Sequence, residues 1–259
     1  MDLFQLMQDQ IGFFLLIFAR ISGIFTSAPI FGSRNIPVVA KAGLALAITY
    51  ILFPMIFDIK TTIPDHFFAY VLIVTGEFLI GLIFGFASSL IFTAVQMAGQ
   101  ILDMQIGFGI VNVLDPQSGQ QLPLVGNFKY ILALLVFLAT NSHHLLLSAL
   151  FNSFKLIPLT GGVFHTNIVQ TIVDMVGGTF IIALKISFPV LLSLLLTDIA
   201  LGILARTMPQ MNIFVVGVPG KIIVGLFVLS LALPFYILFL EVAFNGMYKD
   251  IYRLLSGFA

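Results

Sequence analysis

Of the 259 residues, 60% are apolar or aromatic and only 8% are Asp, Glu, Lys or Arg, against roughly 25% charged in an ordinary soluble domain. So few charges cannot cover a water-facing surface; lipid, or the apolar flanks of other membrane subunits, must solvate most of the chain, which excludes a soluble enzyme, a disordered regulator and a nucleic-acid binder. Eleven basic residues balance eleven acidic ones, so no long-range field recruits phosphate backbones, and the absence of Cys removes disulfides, thiolate metal sites and a cysteine nucleophile.

The first ten residues hold two Asp and no Lys or Arg, and Arg20 interrupts the apolar stretch behind them. A cleaved secretory signal wants a basic start and a small-residue exit, so this segment is expected to stay in the mature protein. Six apolar stretches follow one another at about 11–30, 42–57, 67–98, 130–151, 175–197 and 222–242. They predict an all-α, polytopic integral membrane protein forming one embedded domain over residues 1–259. A helix spans with about 20 residues, which makes the second stretch short and the third, at 32 residues, too long for a simple crossing. Pro29, Pro37, Pro54, Pro64, Pro158, Pro189, Pro209, Pro219 and Pro234 end or kink these segments, which a membrane tolerates only where neighbours satisfy the freed carbonyls.

With no Trp, Tyr70, Tyr130, Tyr248 and Tyr252 supply a thin interfacial girdle. Threading the chain with its N-terminus outside puts Arg34, Lys41, Lys129, Arg206 and Lys221 inside and Lys60, Lys155, Lys249 and Arg253 outside. That near tie sets no orientation: either the spans are drawn wrongly or the chain is not threaded through a bilayer in the ordinary way.

Arg20 sits inside its apolar stretch, where a mid-helix Arg costs about 2.5–3.5 kcal/mol and each Leu, Ile, Phe or Val returns about 0.3–0.6. That helix inserts only marginally unaided. Glu77, Lys185 and Glu241 raise the same question in their own stretches, since such charges face a bundle interior, a partner or a wet cavity. A structural ion pair of Glu77 with Arg20 or Lys185, a proton or ion relay, and a subunit contact all remain open. Along the third stretch Glu77, Gly81, Gly85, Ser89 and Thr93 recur every fourth residue, a small and polar ridge that predicts close approach of another helix.

Residues 99–129 carry five Gly and two Pro, too many for an uninterrupted helix. Yet Ile101, Leu102, Met104, Ile106, Phe108, Ile110, Val111, Val113 and Leu114 are too apolar for a solvated loop. Such backbone is allowed at membrane depth where it lines a cavity or is wrapped by other subunits, so the connection is a candidate pore plug, with a re-entrant structural loop as the alternative.

No catalytic or cofactor site is expected. His143 and His144 are adjacent and point to different helix faces, His66 and His165 lie in other connections, and no nucleophile elbow, zincin, phosphate-loop or dinucleotide fingerprint occurs.

The combination of Arg20-Ile21-Ser22-Gly23 with Pro29, Phe31 and Pro37, of Gly76-Glu77 with Gly81 and Gly85, and of Gln96, Gly99, Asp103, Gln105, Gly107 and Asp115-Pro116 resembles the FliR family of flagellar export-gate subunits. The most specific part is Asp198, Arg206, Pro209-Gln210, Asn212, Phe214, Gly217, Pro219 and Lys221 in their spacing. The same pattern runs more loosely through the related injectisome export subunits. At Asn141-Ser142-His143-His144 the family more often has Gly before the His pair, so that pair is given no role.

The resemblance implies kinked helices assembled with FliP and FliQ into a conical, helical export-gate complex beside FlhB, in the bacterial inner membrane at the flagellar basal body. Unfolded export substrates and membrane lipid would be the other partners, and no nucleic acid. It implies a loop across the closed pore, here Gly107, Phe108, Gly109, Ile110, Val111, Asn112, Val113, Leu114, Asp115 and Pro116. Arg20, Lys185, Asp198, Arg206 and Lys221 are then expected as buried charges or subunit contacts, and Glu77, Gly81, Gly85 and Ser89 as a helix-packing ridge. From the residues alone, a secondary transporter of a small solute with Glu77, Arg20 and Lys185 as coupling groups is the reading from another class.

Overall fold

A computed structural model describes residues 3–33, 35–56, 64, 66–109, 123–161, 166–210 and 212–258. All regular structure among them is helical: α1 Leu3–Ser27, α2 Val38–Ile56, α3 Phe67–Ile106, α4 Leu124–Ala139, α5 Ser142–Leu156, α6 Thr166–Thr207 and α7 Ile213–Ser256. Five of these are long and apolar enough to cross a membrane, and α4 with α5 would add a sixth if taken as one broken span. The chain is thus an all-α, polytopic membrane protein.

The helices are longer than the apolar stretches that mark them. At 1.5 Å per residue, the 40 residues of α3 extend about 60 Å, twice a hydrocarbon core of about 30 Å. The 42-residue α6 and 44-residue α7 are similar. Their apolar middles are continued by polar turns that stay helical, and Pro189, Pro219 and Pro234 lie inside them rather than at their ends. The stretch read as one span over residues 130–151 is instead broken at Thr140, where Asn141 takes a left-handed φ of 55° before α5 begins.

The chain divides into two compact units, Met1–Leu90 with Asn141–Val176 and Asn245–Ala259, and Ile91–Thr140 with Gly177–Phe244. The first is centred on α1, whose Leu16, Ile17, Arg20 and Ile21 are wholly buried. α2 lies on α1 through Phe53, whose ring is 6.4 Å from Phe13 and 5.9 Å from Phe14, and otherwise exposes most of its apolar side chains. In the second unit Leu102, Ile106, Val125, Val190, Leu194 and Leu229 form the core. Phe92, Phe137 and Phe244 make an aromatic cluster there, with ring centres 5.1–5.6 Å apart, spacings at which edge-to-face pairs are favourable.

Close approach of α1 and α3 depends on missing side chains. A Cβ at Gly81 would run into the Arg20 carbonyl and lie 3.1 Å from the Ile24 nitrogen. One at Gly85 would meet the Ser27 hydroxyl and lie 2.8 Å from the Ile24 carbonyl. Backbone atoms cannot swing aside as a flexible side chain can, so Gly81→Ala should lower the melting temperature sharply, an overpacking cost of at least about 1–3 kcal/mol. Gly76, with nothing within 4 Å of its would-be Cβ, is the control on the same helix: Gly76→Ala should be neutral or gain up to about 1 kcal/mol. Equal melting shifts for the two substitutions in detergent would refute this packing.

Candidate functional site

Two clusters of polar side chains stand out, one in each unit. In the first, Arg20 is fully buried on α1 and its Nε donates to Glu77 Oε2 of α3 at 2.6 Å. Its Nη1 donates to the carbonyls of Ser153 at 3.1 Å and Ile157 at 3.0 Å. These carbonyls lie at the end of α5, at the negative end of the helix dipole, and the Ser153 carbonyl also accepts from the Ile157 N–H at 2.9 Å. The guanidinium also stands 4.5 Å over the ring of Phe154. Glu77 uses its second oxygen to accept from the Thr160 N–H at 3.3 Å, in the turn after α5, where Thr160 has a φ of 72°. One ion pair therefore ties α1, α3 and the end of α5 together, and of the two partners considered for Glu77 the structure chooses Arg20.

Around this pair lies the ridge. Glu77, Gly81 and Gly85 face α1, as described above, while Ser89 is half-buried with its hydroxyl donating to the Phe86 carbonyl at 2.7 Å. Ser27 returns the contact from α1, donating to the Leu82 carbonyl at 3.0 Å.

In the second unit the polar residues gather where α3 ends and α4 begins. Pro123 stands at the α4 N-cap and offers no side-chain bond. Asp103 of α3 fills that role from a distance: its two oxygens accept from Val125 N at 2.9 Å and Gly126 N at 3.1 Å. A carboxylate on first-turn N–H groups is favoured by both the orphan donors and the dipole. Gly99 of α3 sits directly against Gly126, whose nitrogen a Cβ at 99 would reach at 2.6 Å. On the next turn of α3, Gln105 Nε2 donates to Asp198 Oδ2 of α6 at 2.9 Å, and Asp198 is paired with Lys221 of α7 at 2.8 Å. Gly107 then leaves the helix at φ 106°, and Phe108 packs against the apolar core.

Of the residues expected to form the plug, Gly107, Phe108 and Gly109 are thus positioned, while Ile110, Val111, Asn112, Val113, Leu114, Asp115 and Pro116 lie outside the described residues. The structure also narrows the non-helical part of 99–129, since α3 runs on to Ile106 and α4 starts at Leu124.

Among the expected charges, Asp198 and Lys221 are partly exposed and paired with each other. Lys185 and Arg206 are exposed on the chain, so the chain itself does not bury them. His143 and His144 stack with ring centres 4.2 Å apart, and among the described residues no group of His, Asp and Glu could hold a metal. The capping role of Asp103 and the burial of Lys129 went unnoticed in the sequence. Asp103 is one of only two acids between 99 and 129 and precedes an uncapped Pro123 start, a signal that names an acid without naming its target.

Residues 11–247 match the family described as bacterial export proteins, family 1. The chain is 40% identical over 247 residues to the flagellar biosynthetic protein FliR of Bacillus subtilis (strain 168), covering 94% of each. It is 30% identical to the protein of that name in Escherichia coli (strain K12), over 92% of this chain and 88% of that one. For the Aquifex aeolicus (strain VF5) protein of the same name the identity is 26%, over 94% and 92%.

Two predictions follow from the geometry. Glu77→Ala strands a buried guanidinium and should cost about 3–5 kcal/mol, whereas Arg20→Met combined with Glu77→Leu removes both charges and should restore much of that loss. Thermal melts of the single and double variants decide it, and a double variant no better than Glu77→Ala rules it out. Asp103→Ala uncaps α4 and should cost about 0.5–2 kcal/mol, with faster protease cleavage between residues 107 and 123 as the local readout; an unchanged cleavage rate would mean the tether is idle.

Proposed function

The chain belongs to the bacterial export proteins of family 1, and from that premise we propose that it is a core subunit of the flagellar type III export gate. It forms part of the channel through which unfolded flagellar proteins are secreted. The observation that carries this reading is the 40% identity to a flagellar biosynthetic protein FliR over 94% of both chains. The partners are FliP and FliQ within one hetero-oligomeric gate, with FlhB adjoining, in the bacterial inner membrane at the basal body. The chain works as a conduit wall, without catalytic residues or cofactor.

Physical features support a role inside a larger assembly. Phe68 on α3, Phe188 on α6, and Phe235 and Val242 on α7 are more than half exposed, and α2 has little of its own chain against it. Such surfaces need lipid or other apolar subunits around them.

Within this reading, residues 107–116 form the resting seal. Gly107 turns the chain out of α3, Phe108 seats it on the core, and Asp103 holds the far end at α4. Between these points Ile110, Val111, Val113 and Leu114 supply the apolar side chains of a dewetting constriction.

The test begins with a tagged chain isolated in mild detergent from flagellated cells. FliP and FliQ should co-purify, and a lone monomer or homodimer would instead favour a solute transporter. Deleting residues 109–113 should leave that complex assembled while raising its ion conductance when export is idle. Conductance that stays at the closed level in an assembled complex would make the segment structural.

A further inference from the structure

One cavity is lined by charges that neither cluster uses. It measures about 140 Å³ and lies in the second unit among Lys129, Lys185, Val190, Leu229, Phe235 and Phe239. Lys129 is only 3% exposed. An ammonium has three donors, and this one makes a single long bond, 3.5 Å to the Ile186 carbonyl. It stands 5.0 Å from the centre of the Tyr236 ring, whose hydroxyl is already donated to the Lys129 carbonyl at 2.9 Å. Lys185 lines the same cavity from an exposed position on α6. Pro189, one turn on, has no N–H to offer the Lys185 carbonyl. Among the described residues no carboxylate lines the cavity.

Two ammonium groups without a counter-charge, set in apolar walls, call for an anion carried on an apolar body. A bare inorganic anion would leave those walls uncovered. The two non-bridging oxygens of a phosphodiester supply one charged acceptor for each ammonium group, and its esters carry the apolar body. Phe235, which lines the cavity, is 75% exposed, and Phe188, next in sequence to the lining Pro189, is 59% exposed, as acyl chains would require. Basic pockets between membrane helices bind anionic headgroups in this way. The zero net charge of the whole chain is no obstacle, because the buried Lys129 ammonium acts on a headgroup only a few ångströms away. We propose that the cavity holds the headgroup phosphate of an anionic phospholipid between Lys129 and Lys185, with its acyl chains lying over Phe188 and Phe235.

The experiment uses the chain purified with its co-assembled subunits, stripped of lipid and offered phosphatidylglycerol or phosphatidylcholine of the same acyl composition. Bound lipid is counted by native mass spectrometry. The wild type should retain phosphatidylglycerol preferentially. Lys185→Gln alters an exposed side chain and should leave folding intact, yet it should weaken that retention about fivefold, the effect of one lysine beside an anionic headgroup. Lys129→Gln should act in the same direction, and a photoactivatable phosphatidylglycerol should label peptides spanning 185–190 and 229–239. Equal retention of the two lipids, or a Lys185→Gln complex that behaves as wild type, overturns the proposal. So does occupancy by inorganic phosphate in place of lipid, or a crosslink from position 129 to an acidic residue of a co-purifying subunit.

Discussion

A guanidinium buried in an apolar helix is the constraint from which the first unit is built. Arg20 cannot be left in a low-dielectric interior without compensation, and no single neighbour is enough for it. Glu77 supplies the charge, Ser153 and Ile157 supply carbonyls from the end of α5, and Phe154 covers one face. Each of these partners must come close, and closeness sets the sequence around them. Gly81 and Gly85 have no side chain because the α1 backbone occupies the space, and the left-handed turn at Thr160 brings an N–H to the remaining carboxylate oxygen. A buried pair of this kind adds little net stability over an apolar substitute. It specifies instead which face of α1 meets which turn of α3, because any other register strands a charge.

How much of this could be read from the sequence depends on the range of the interaction involved. Hydropathy marks the helices, because it is a property of each segment alone, and it finds the apolar middles of α3, α6 and α7. It misplaces their ends. The turns at 99–106 stay helical because Gly99 meets Gly126 and Asp103 reaches the start of α4, contacts about 22–27 residues distant along the chain. The break at Thr140 is just as hard to foresee, since it rests on one Asn in the left-handed region rather than on Pro or Gly. Periodicity did single out Glu77, Gly81 and Gly85, because a four-residue spacing on one helix is local. It could not say which helix lies opposite or that α5 would contribute carbonyls.

The exposed charges belong to the same logic read outward. Lys185, Arg206 and Glu241 lie on helices whose neighbouring side chains are exposed Leu, Ile, Phe and Val. In a membrane protein such charges require pairing beyond the chain or a wet surface. The chain thus pairs Arg20 with Glu77 inside, where Arg20 Nη2 still lacks a hydrogen-bond partner among the described residues, and turns Lys185, Arg206 and Glu241 outward. That division also explains why the Lys and Arg balance across the connections sets no orientation: several of these residues serve packing and pairing, and only those in free loops would report on topology.

The seal proposed for residues 107–116 makes two opposed demands on one segment, since it must close a pore and also yield to a passing chain. Packing it as a helix would satisfy the first and defeat the second. The arrangement around it separates the two demands. Its flanks are held separately: Asp103 caps α4 beyond the segment, and Phe108, at the segment's start, packs against the core that includes Leu102, Ile106 and Val125. Gly107 provides the change of direction at φ 106°, a conformation with no steric penalty for a residue lacking Cβ. The Asp103 cap on Val125 and Gly126 involves no residue of 110–116, so the proposed seal can be displaced in its middle while α4 keeps its cap. A segment anchored only by its own packing would unravel its flanking helices each time it moved, and would have to refold them before it closed again.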